Sequence, residues 1–478
     1  MNEKAKKVAL DWVDGQKKRL VQISDAIWEY AELGFVEFKS SKLLADELEK
    51  HGFKVQREVA GIPTAFVASW GKGRPIIGIM GEFDALPGIS QKLLPYKEPL
   101  IEGAAGHGCG HNIHGTSCLG GALALKSALQ VEDIPGTIKF FGCPAEEMLS
   151  GKVWMVREGI FDGVDACLSH HPSSFNTASM SSSNANISVK FHFYGKTAHA
   201  AGSPEQGRSA LDGVELMNVA ANYLREHIIE KARIHYVIED GGGQPNVVPD
   251  YAKVWYLIRA PEREQVDNIY QRVVKIAEGA TLMTETTVKV DFQKAISNLI
   301  PNKTLSETVI SNMRGIGAPT YTQEELDFAM KIGESIPRQA KIDGLRRSKM
   351  PNWERFVNVD LSSEILDPWN EGEVMPGSTD VSDVSWNTPT MEFGTTAFVI
   401  GTPGHAWQNV ALSGMSIGHK SMIFASKVIA SSALDLVTKP ELLSKAKEEL
   451  LKRLQGRTYK SPLPPGAQPP IKQWAMKA

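Results

Sequence analysis

Hydrophobic positions along the chain follow two periods. Between residues 12 and 51 apolar side chains recur at three- and four-residue intervals, which predicts amphipathic helix. Alternation at 66–70 then predicts a half-buried strand, and the apolar run at 75–80 predicts a strand covered on both faces. That run opens into Gly81-Glu82-Phe83-Asp84-Ala85-Leu86-Pro87. Polar groups at the carboxyl end of a strand are where open α/β sheets place their chemistry. A second unit repeats the logic, with a strand at 136–142 and a helix from Glu146 onward. A third strand, 166–169, ends in His170-His171-Pro172. The fold class is therefore α/β, a mixed sheet flanked by helices.

From about Asn186 the pattern changes to strand (187–194), helix (207–226), strands (234–238 and 247–259), helix (262–282) and strand (286–292). This βαββαβ order fits a ferredoxin-like sheet with two helices on one face. Because the α/β pattern resumes after about Leu305, the smaller unit reads as an insertion: residues 1–185 and 306–478 form a discontinuous catalytic domain, and 186–305 the inserted one. Residues 321–375 show little clean periodicity and read as a partly helical excursion. A strand is expected at 396–400, and the Pro-dense stretch 461–470 reads as an extended surface tail.

Charge and composition narrow the function. With 52 Lys+Arg against 55 Asp+Glu the formal charge is −3, and no stretch gathers the basic residues into the stripe that a nucleic acid would need. No apolar run approaches the ~18 residues of a membrane span. The Lys-rich start, broken by Asp11 and Asp14, reads as an amphipathic helix rather than a signal peptide, so a cytoplasmic location is expected. Cys109, Cys118, Cys143 and Cys167 are too few for a disulfide framework; each is expected as a buried thiol or a ligand.

The chemistry concentrates at strand ends. In Gly106-His107-Gly108-Cys109-Gly110-His111-Asn112, thiol and imidazole sit two residues apart in a glycine-rich loop that can curl both toward one ion. Glu146-Glu147 follows the second strand, and neighbouring side chains at such a turn diverge, so that one carboxylate can hold metal while the other addresses a water. Of His170 and His171 one is expected to be functional and the other structural. A further histidine, His405, stands in the tight loop Gly401-Thr402-Pro403-Gly404-His405-Ala406-Trp407.

Together these motifs resemble, over nearly the whole chain, the metallopeptidase and amidohydrolase family that contains carboxypeptidase G, aminoacylase and the indole-3-acetyl-amino-acid hydrolases. Its Cys-containing branch carries a Cys-Gly-His loop, a Glu-Glu pair, a His near a Pro and a late His. By position the resemblance implies Cys109, His111, Glu147, His171 and His405 as ligands of two divalent ions, manganese favoured and zinc possible, with Cys109 bridging them. It implies Glu146 as general base and Asp84 as the acid that orients a ligand, while Glu82 stands where most branches have a ligand histidine. The segments 227–233, 275–280 and 377–384 resemble those members that hydrolyse p-aminobenzoyl-glutamate. The family's inserted unit is a lid and dimerisation domain, and its substrate groups match His199, Asn246 and Arg259: an imidazole for the oxyanion, and an amide and a guanidinium for a carboxylate.

The resemblance thus implies hydrolysis of an N-acyl amino acid, p-aminobenzoyl-glutamate-like or indole-acetyl-aspartate-like, by a homodimer or by a heterodimer with a homologous subunit. Two alternatives stand beside it. A dipeptidase or aminopeptidase would need an acid for the substrate ammonium, for which Glu82, Asp380 and Asp383 are candidates. The other is a subunit that depends on its partner for activity.

Overall fold

The computed structural model describes residues 2–148 and 150–471. Its strands in chain order are β1 (Lys54–Arg57), β2 (Phe66–Lys72), β3 (Ile76–Glu82), β4 (Gly136–Cys143), β5 (Ala166–Ser173), β6 (Ser182–Ser183), β7 (Ala185–Tyr194), β8 (Arg233–Asp240), β9 (Tyr251–Ala260), β10 (Thr287–Ile296), β11 (Val374–Met375) and β12 (Thr390–Thr396). The larger sheet has the order β1-β2-β4-β3-β5-β12. In it β3 lies parallel between β4 and β5, β12 is parallel to β5, and β2 is antiparallel to β4. Alternation along β3 divides its side chains between two cores. Ile77 and Ile79 join the cluster under the helices Asn2–Tyr30, His111–Val131 and Ser416–Thr438, whereas Met80 joins Phe141, Cys143, Val153 and Val384 on the opposite face. Burial on both faces is why this strand is apolar throughout.

The second sheet has the order β10-β7-β9-β8, antiparallel throughout, as the βαββαβ pattern predicts. Alternate residues Val189, Phe191, Phe193, Val254, Tyr256 and Ile258 pack under the helices Ala210–Leu224 and Arg263–Thr284. Both helices start on capping groups: Ser209 accepts from the Asp212 N–H, and Glu262 with Gln265 closes a capping box. The other face of this sheet is polar, carrying Ser188, Lys190, Lys253 and Arg259.

Several expectations at element ends are corrected. The helical stretch 12–51 is two helices, Asn2–Tyr30 and Phe38–Lys50. Glu146 does not open a helix: residues 146–148 form a turn and the helix is Gly151–Arg157. β5 continues to Ser173, so His170 and His171 lie on the strand rather than beyond it. The strand expected at 396–400 is instead β12, ending at Thr396. The helix Ser416–Thr438 does reach the length and hydropathy of a membrane span, but 89% of its apolar window is buried in the protein core. The stretch 461–470 is no free tail, since Leu463 is buried and Ala467 O accepts from Arg157 Nη1 at 2.7 Å. The excursion 321–375 holds the helices Gln323–Glu334 and Arg338–Arg347.

Candidate metal centre

Three strand ends and two loops deliver the ligand candidates to one place. The helix His111–Val131 begins immediately after Gly110, whose φ of +75° turns the chain between Cys109 and His111. A side chain at Gly110 would be strained at that angle and would press on Pro172 and Phe398. After β4, Ala145 also takes a left-handed φ, +58°, and turns Glu146 and Glu147 apart. Its N–H donates to Glu37 Oε1 at 2.7 Å, and Thr64 Oγ1 donates to the other Glu37 oxygen at 2.9 Å. Burial, reinforced by Asp84, pushes the Glu37 carboxyl up to about 8.

Asp84 ties two of these loops together. One carboxylate oxygen accepts from His111 Nδ1 at 2.9 Å and the other from the Glu147 N–H at 2.8 Å. His111 thereby presents Nε2, which is buried and has no hydrogen-bond partner among the described residues. His171 is held the same way: its Nδ1 donates to Pro172 O at 2.8 Å, leaving Nε2 at 3.4 Å from Cys109 Sγ. His405, itself at φ +58°, places Nε2 at 3.3 Å from Glu147 Oε2. Two triplets result, Cys109 with His111 and His171, and Cys109 with Glu147 and His405, each with its donor atoms within 4.8 Å of one another.

Cys109 belongs to both triplets. Burial, then the Glu147 charge, raise its thiol well above the usual cysteine range, so a thiolate here needs a cation. The orphaned His111 Nε2 and Glu147 Oε1 point to the same requirement. Thiolate, imidazole and carboxylate in this arrangement fit a pair of divalent ions. Replacing Asp84 by Asn should then weaken metal binding by about 10–100-fold through His111 orientation alone, the usual effect of losing such a support. A competition titration with a chromophoric chelator measures it, with the far-ultraviolet circular dichroism unchanged.

The neighbouring histidines have other tasks. His170 is buried between Ser117 Oγ and Thr395 Oγ1, at 2.9 and 2.7 Å. His107 bonds Ile27 O through Nε2, and burial lowers its pKa to about 4, so it is neutral.

Beneath the ligands lies a charge network that sequence reading missed. Lys152, fully buried, stands 2.6 Å from both Glu82 Oε1 and Asp380 Oδ1, and its own N–H donates to Asp380 at 2.8 Å. His114 lies with Nδ1 3.0 Å from the Glu82 backbone nitrogen and Nε2 3.2 Å from the Glu82 carboxylate. Burial opposes ionisation of Glu82, but His114 and Lys152 overcome it and hold its carboxyl below the usual range. Glu82, His114 and Glu392 form a further triplet of possible ligands, yet the Lys152 ammonium already supplies the positive charge there. The one local signal was a lysine amid apolar residues in Gly151-Lys152-Val153-Trp154.

Glu146 belongs to neither triplet that meets at Cys109. It is 8% exposed, with Oε2 at 4.0 Å from His111 Nε2, and burial together with Glu82, Asp380 and Glu147 pushes its carboxyl well above the usual range. The substrate-binding candidates are not gathered within one chain. His199 and Asn246 are exposed on paired loops, where Ala200 N–H donates to Asn246 O at 3.0 Å and the His199 Nδ1 accepts from Gly202 N–H at 3.0 Å. Arg259 lies opposite Asn186 at the other end of the sheet, roughly 25 Å away at the rise of a strand.

Comparison with known proteins identifies the family. The model of peptidase family M20/M25/M40 matches residues 78–412. The chain is 43% identical to one of the two homologous subunits of p-aminobenzoyl-glutamate hydrolase of Escherichia coli, over 97% of this chain and 98% of that one. It is 28% identical to the Xaa-Arg dipeptidase of mouse, covering 95% and 94% respectively. A Bacillus subtilis structure described as a dinuclear metal binding peptidase from the M20 family superposes with a TM-score of 0.57 at 18% identity, covering 89% of this chain and 99% of that chain; it shares the fold. With 335 consecutive residues spanned by the family model, this chain belongs to peptidase family M20/M25/M40.

Proposed function

We propose that the protein is a metal-dependent amidohydrolase that cuts the amide bond of N-acyl amino acids bearing an acidic residue, p-aminobenzoyl-glutamate-like or indole-acetyl-aspartate-like. The observation that carries this is the pair of ligand triplets meeting at Cys109 with Glu146, a buried carboxyl outside both of them although grouped with Glu82 and His111, beside them. Cys109, His111 and His171 would hold one ion, and Cys109, Glu147 and His405 the other. Bound there, divalent ions supply Lewis acidity and lower the pKa of a water. Manganese suits the imidazoles and carboxylates and is placed first; zinc suits the thiolate. Glu146 takes the proton of the attacking water and returns it to the leaving amine, a role that a carboxyl with a raised pKa fills well. Arg259 binds a substrate carboxylate.

That His199 and Asn246 lie at the far end of the sheet from Arg259 supports their supply by a second copy or a homologous subunit, the imidazole donating to the oxyanion and the amide to the carboxylate. The Escherichia coli relative, itself a subunit of a hydrolase with a second, homologous one, supports such a partner. The aminopeptidase reading is disfavoured by the acids it would need. Glu82 and Asp380 are engaged by Lys152, and Asp383 accepts from Ser297 and from the Tyr459 hydroxyl at 2.9 Å.

The test is amine release from a panel of N-acyl amino acids and free dipeptides, after chelation and re-addition of manganese or zinc. Cleavage of an aromatic acyl-glutamate or acyl-aspartate only with metal restored is the expected result. Cleavage of free dipeptides instead would transfer the site to a peptidase. Absence of any cleavage by the isolated chain in either metal would favour the partner-dependent reading.

A further inference from the structure

The polar face of the inserted sheet sets two side chains that the reaction scheme leaves without a task, Asn186 and Lys294, beside Arg259. On β7, Asn186 is paired directly with Arg259 of β9, and Ser188, two residues on, is paired with Lys294 of β10. Directly opposed residues share a face, and i, i+2 residues of one strand do too, so Asn186, Arg259 and Lys294 stand together on the face turned away from the two helices. A register shift between Phe292 and Lys294, where Gln293 is the extra residue, brings Lys294 onto that face.

None of the three is satisfied from within. Asn186 is fully buried, yet neither its Oδ1 nor its Nδ2 has a hydrogen-bond partner among the described residues. Among the described residues Arg259 makes a single hydrogen bond, Nη1 to Pro376 O at 3.3 Å, and its buried Nε has none. Lys294 makes no hydrogen bond or ion pair among the described residues. On the same face Lys190 and Lys253 are matched by Glu239, 2.9 Å and 3.4 Å away, and Arg233, opposite Arg259, donates to the backbone carbonyls of Glu230 and Ala232. Two half-buried cations beside an unsatisfied amide, with no counter-anion of their own, form a costly arrangement unless a ligand brings the negative charge. Burial lowers the Lys294 pKa to about 8, with the Glu146 charge opposing the shift and Arg259 adding to it.

We infer that Lys294, with Asn186, is the specificity-determining subsite for the side-chain carboxylate of an acidic amino acid, next to Arg259, which takes the α-carboxylate. The inference rests on the amidohydrolase reading and adds the reason for an acidic residue. A substrate with two carboxylates brings two negative charges to two otherwise unpaired cations, and the Asn186 amide donates to one of the carboxylate oxygens between them.

The experiment compares kcat/KM for N-benzoyl-glutamate and N-benzoyl-glutamine, an isostere with an uncharged side chain and the same α-carboxylate, in the wild type, Lys294→Met and Lys294→Arg. The wild type should prefer the glutamate compound, and Lys294→Met should reduce that preference about 10–100-fold, the range of one charge-assisted hydrogen bond, chiefly through KM. Lys294→Arg should retain most of it. An unchanged preference in Lys294→Met overturns the inference even though the protein is an amidohydrolase. Should the wild type cleave neither compound, calorimetric titration of glutarate into the folded, metal-loaded protein decides separately. Binding that weakens at least tenfold in Lys294→Met supports the subsite, and absent or equal binding overturns it.

Discussion

Glu146→Ala is expected to lower kcat for the acyl amino acid by about 10²–10⁴-fold, the usual contribution of a positioned proton-transfer group. Metal stoichiometry and KM should change little, because Glu146 lies outside both triplets that meet at Cys109. That combination separates a base from a ligand: replacing Glu147 or His405 removes a donor and should empty a metal position as activity falls. Metal analysis of the purified variants beside steady-state kinetics reads both quantities. Retention of activity in Glu146→Ala would remove the assigned proton shuttle, and loss of one metal equivalent would reassign Glu146 as a ligand.

Lys152→Met is expected to destabilise the fold by about 3–5 kcal/mol, the cost of stranding buried charges when one member of an ion pair is removed. The lysine is 0% exposed and stands 2.6 Å from carboxylates on two different elements, β3 and the segment before the helix Val381–Ser385. Methionine matches its length but leaves Glu82 and Asp380 without their cation. In the variant both carboxyls then have folded pKa values above their unfolded ones. Such groups favour the fold when protonated, so the deficit should shrink as pH falls through those raised values toward about 4, the unfolded range of Asp and Glu. Urea unfolding at pH 7.5 and 5.5 measures the midpoint shift, and adding Glu82→Gln and Asp380→Asn to Lys152→Met should recover part of the loss. A midpoint within experimental scatter of wild type at both pH values would show that the network is not a stability element.

The apolar run of β3, the βαββαβ order and the Gly-rich loop around Cys109 were legible in the chain because each reflects a local constraint: burial on two faces, period-two and period-3.6 patterning, and a backbone that must turn at positive φ. The candidate donors stood out too, since Cys109, Glu147 and His405 lie in short loops and His111 opens the helix that follows the Gly-rich one. Residue pattern alone left the division of labour between His170 and His171 open, and only the resemblance pointed to His171. Both lie on β5, and adjacent strand residues point to opposite faces, so it was the packing of the sheet that sent His170 between Ser117 and Thr395 and His171 toward Cys109.

Pairings between distant segments were decided by tertiary structure alone. Nothing near Lys152 in sequence announces Glu82 and Asp380 as its partners, because a buried charge is matched in space and not along the chain. Arg259 could be read as a carboxylate ligand, but its neighbours Asn186 and Lys294 come from two other strands, and it took the register of the inserted sheet to put them on one face. The sequence by itself determined the strands, the loops and the donor atoms, since those answer to local backbone and hydrophobic constraints. Which donors meet, which carboxylate stays outside the triplets at Cys109 and which cations share one face followed from strand register and from the need to neutralise charge once water is excluded.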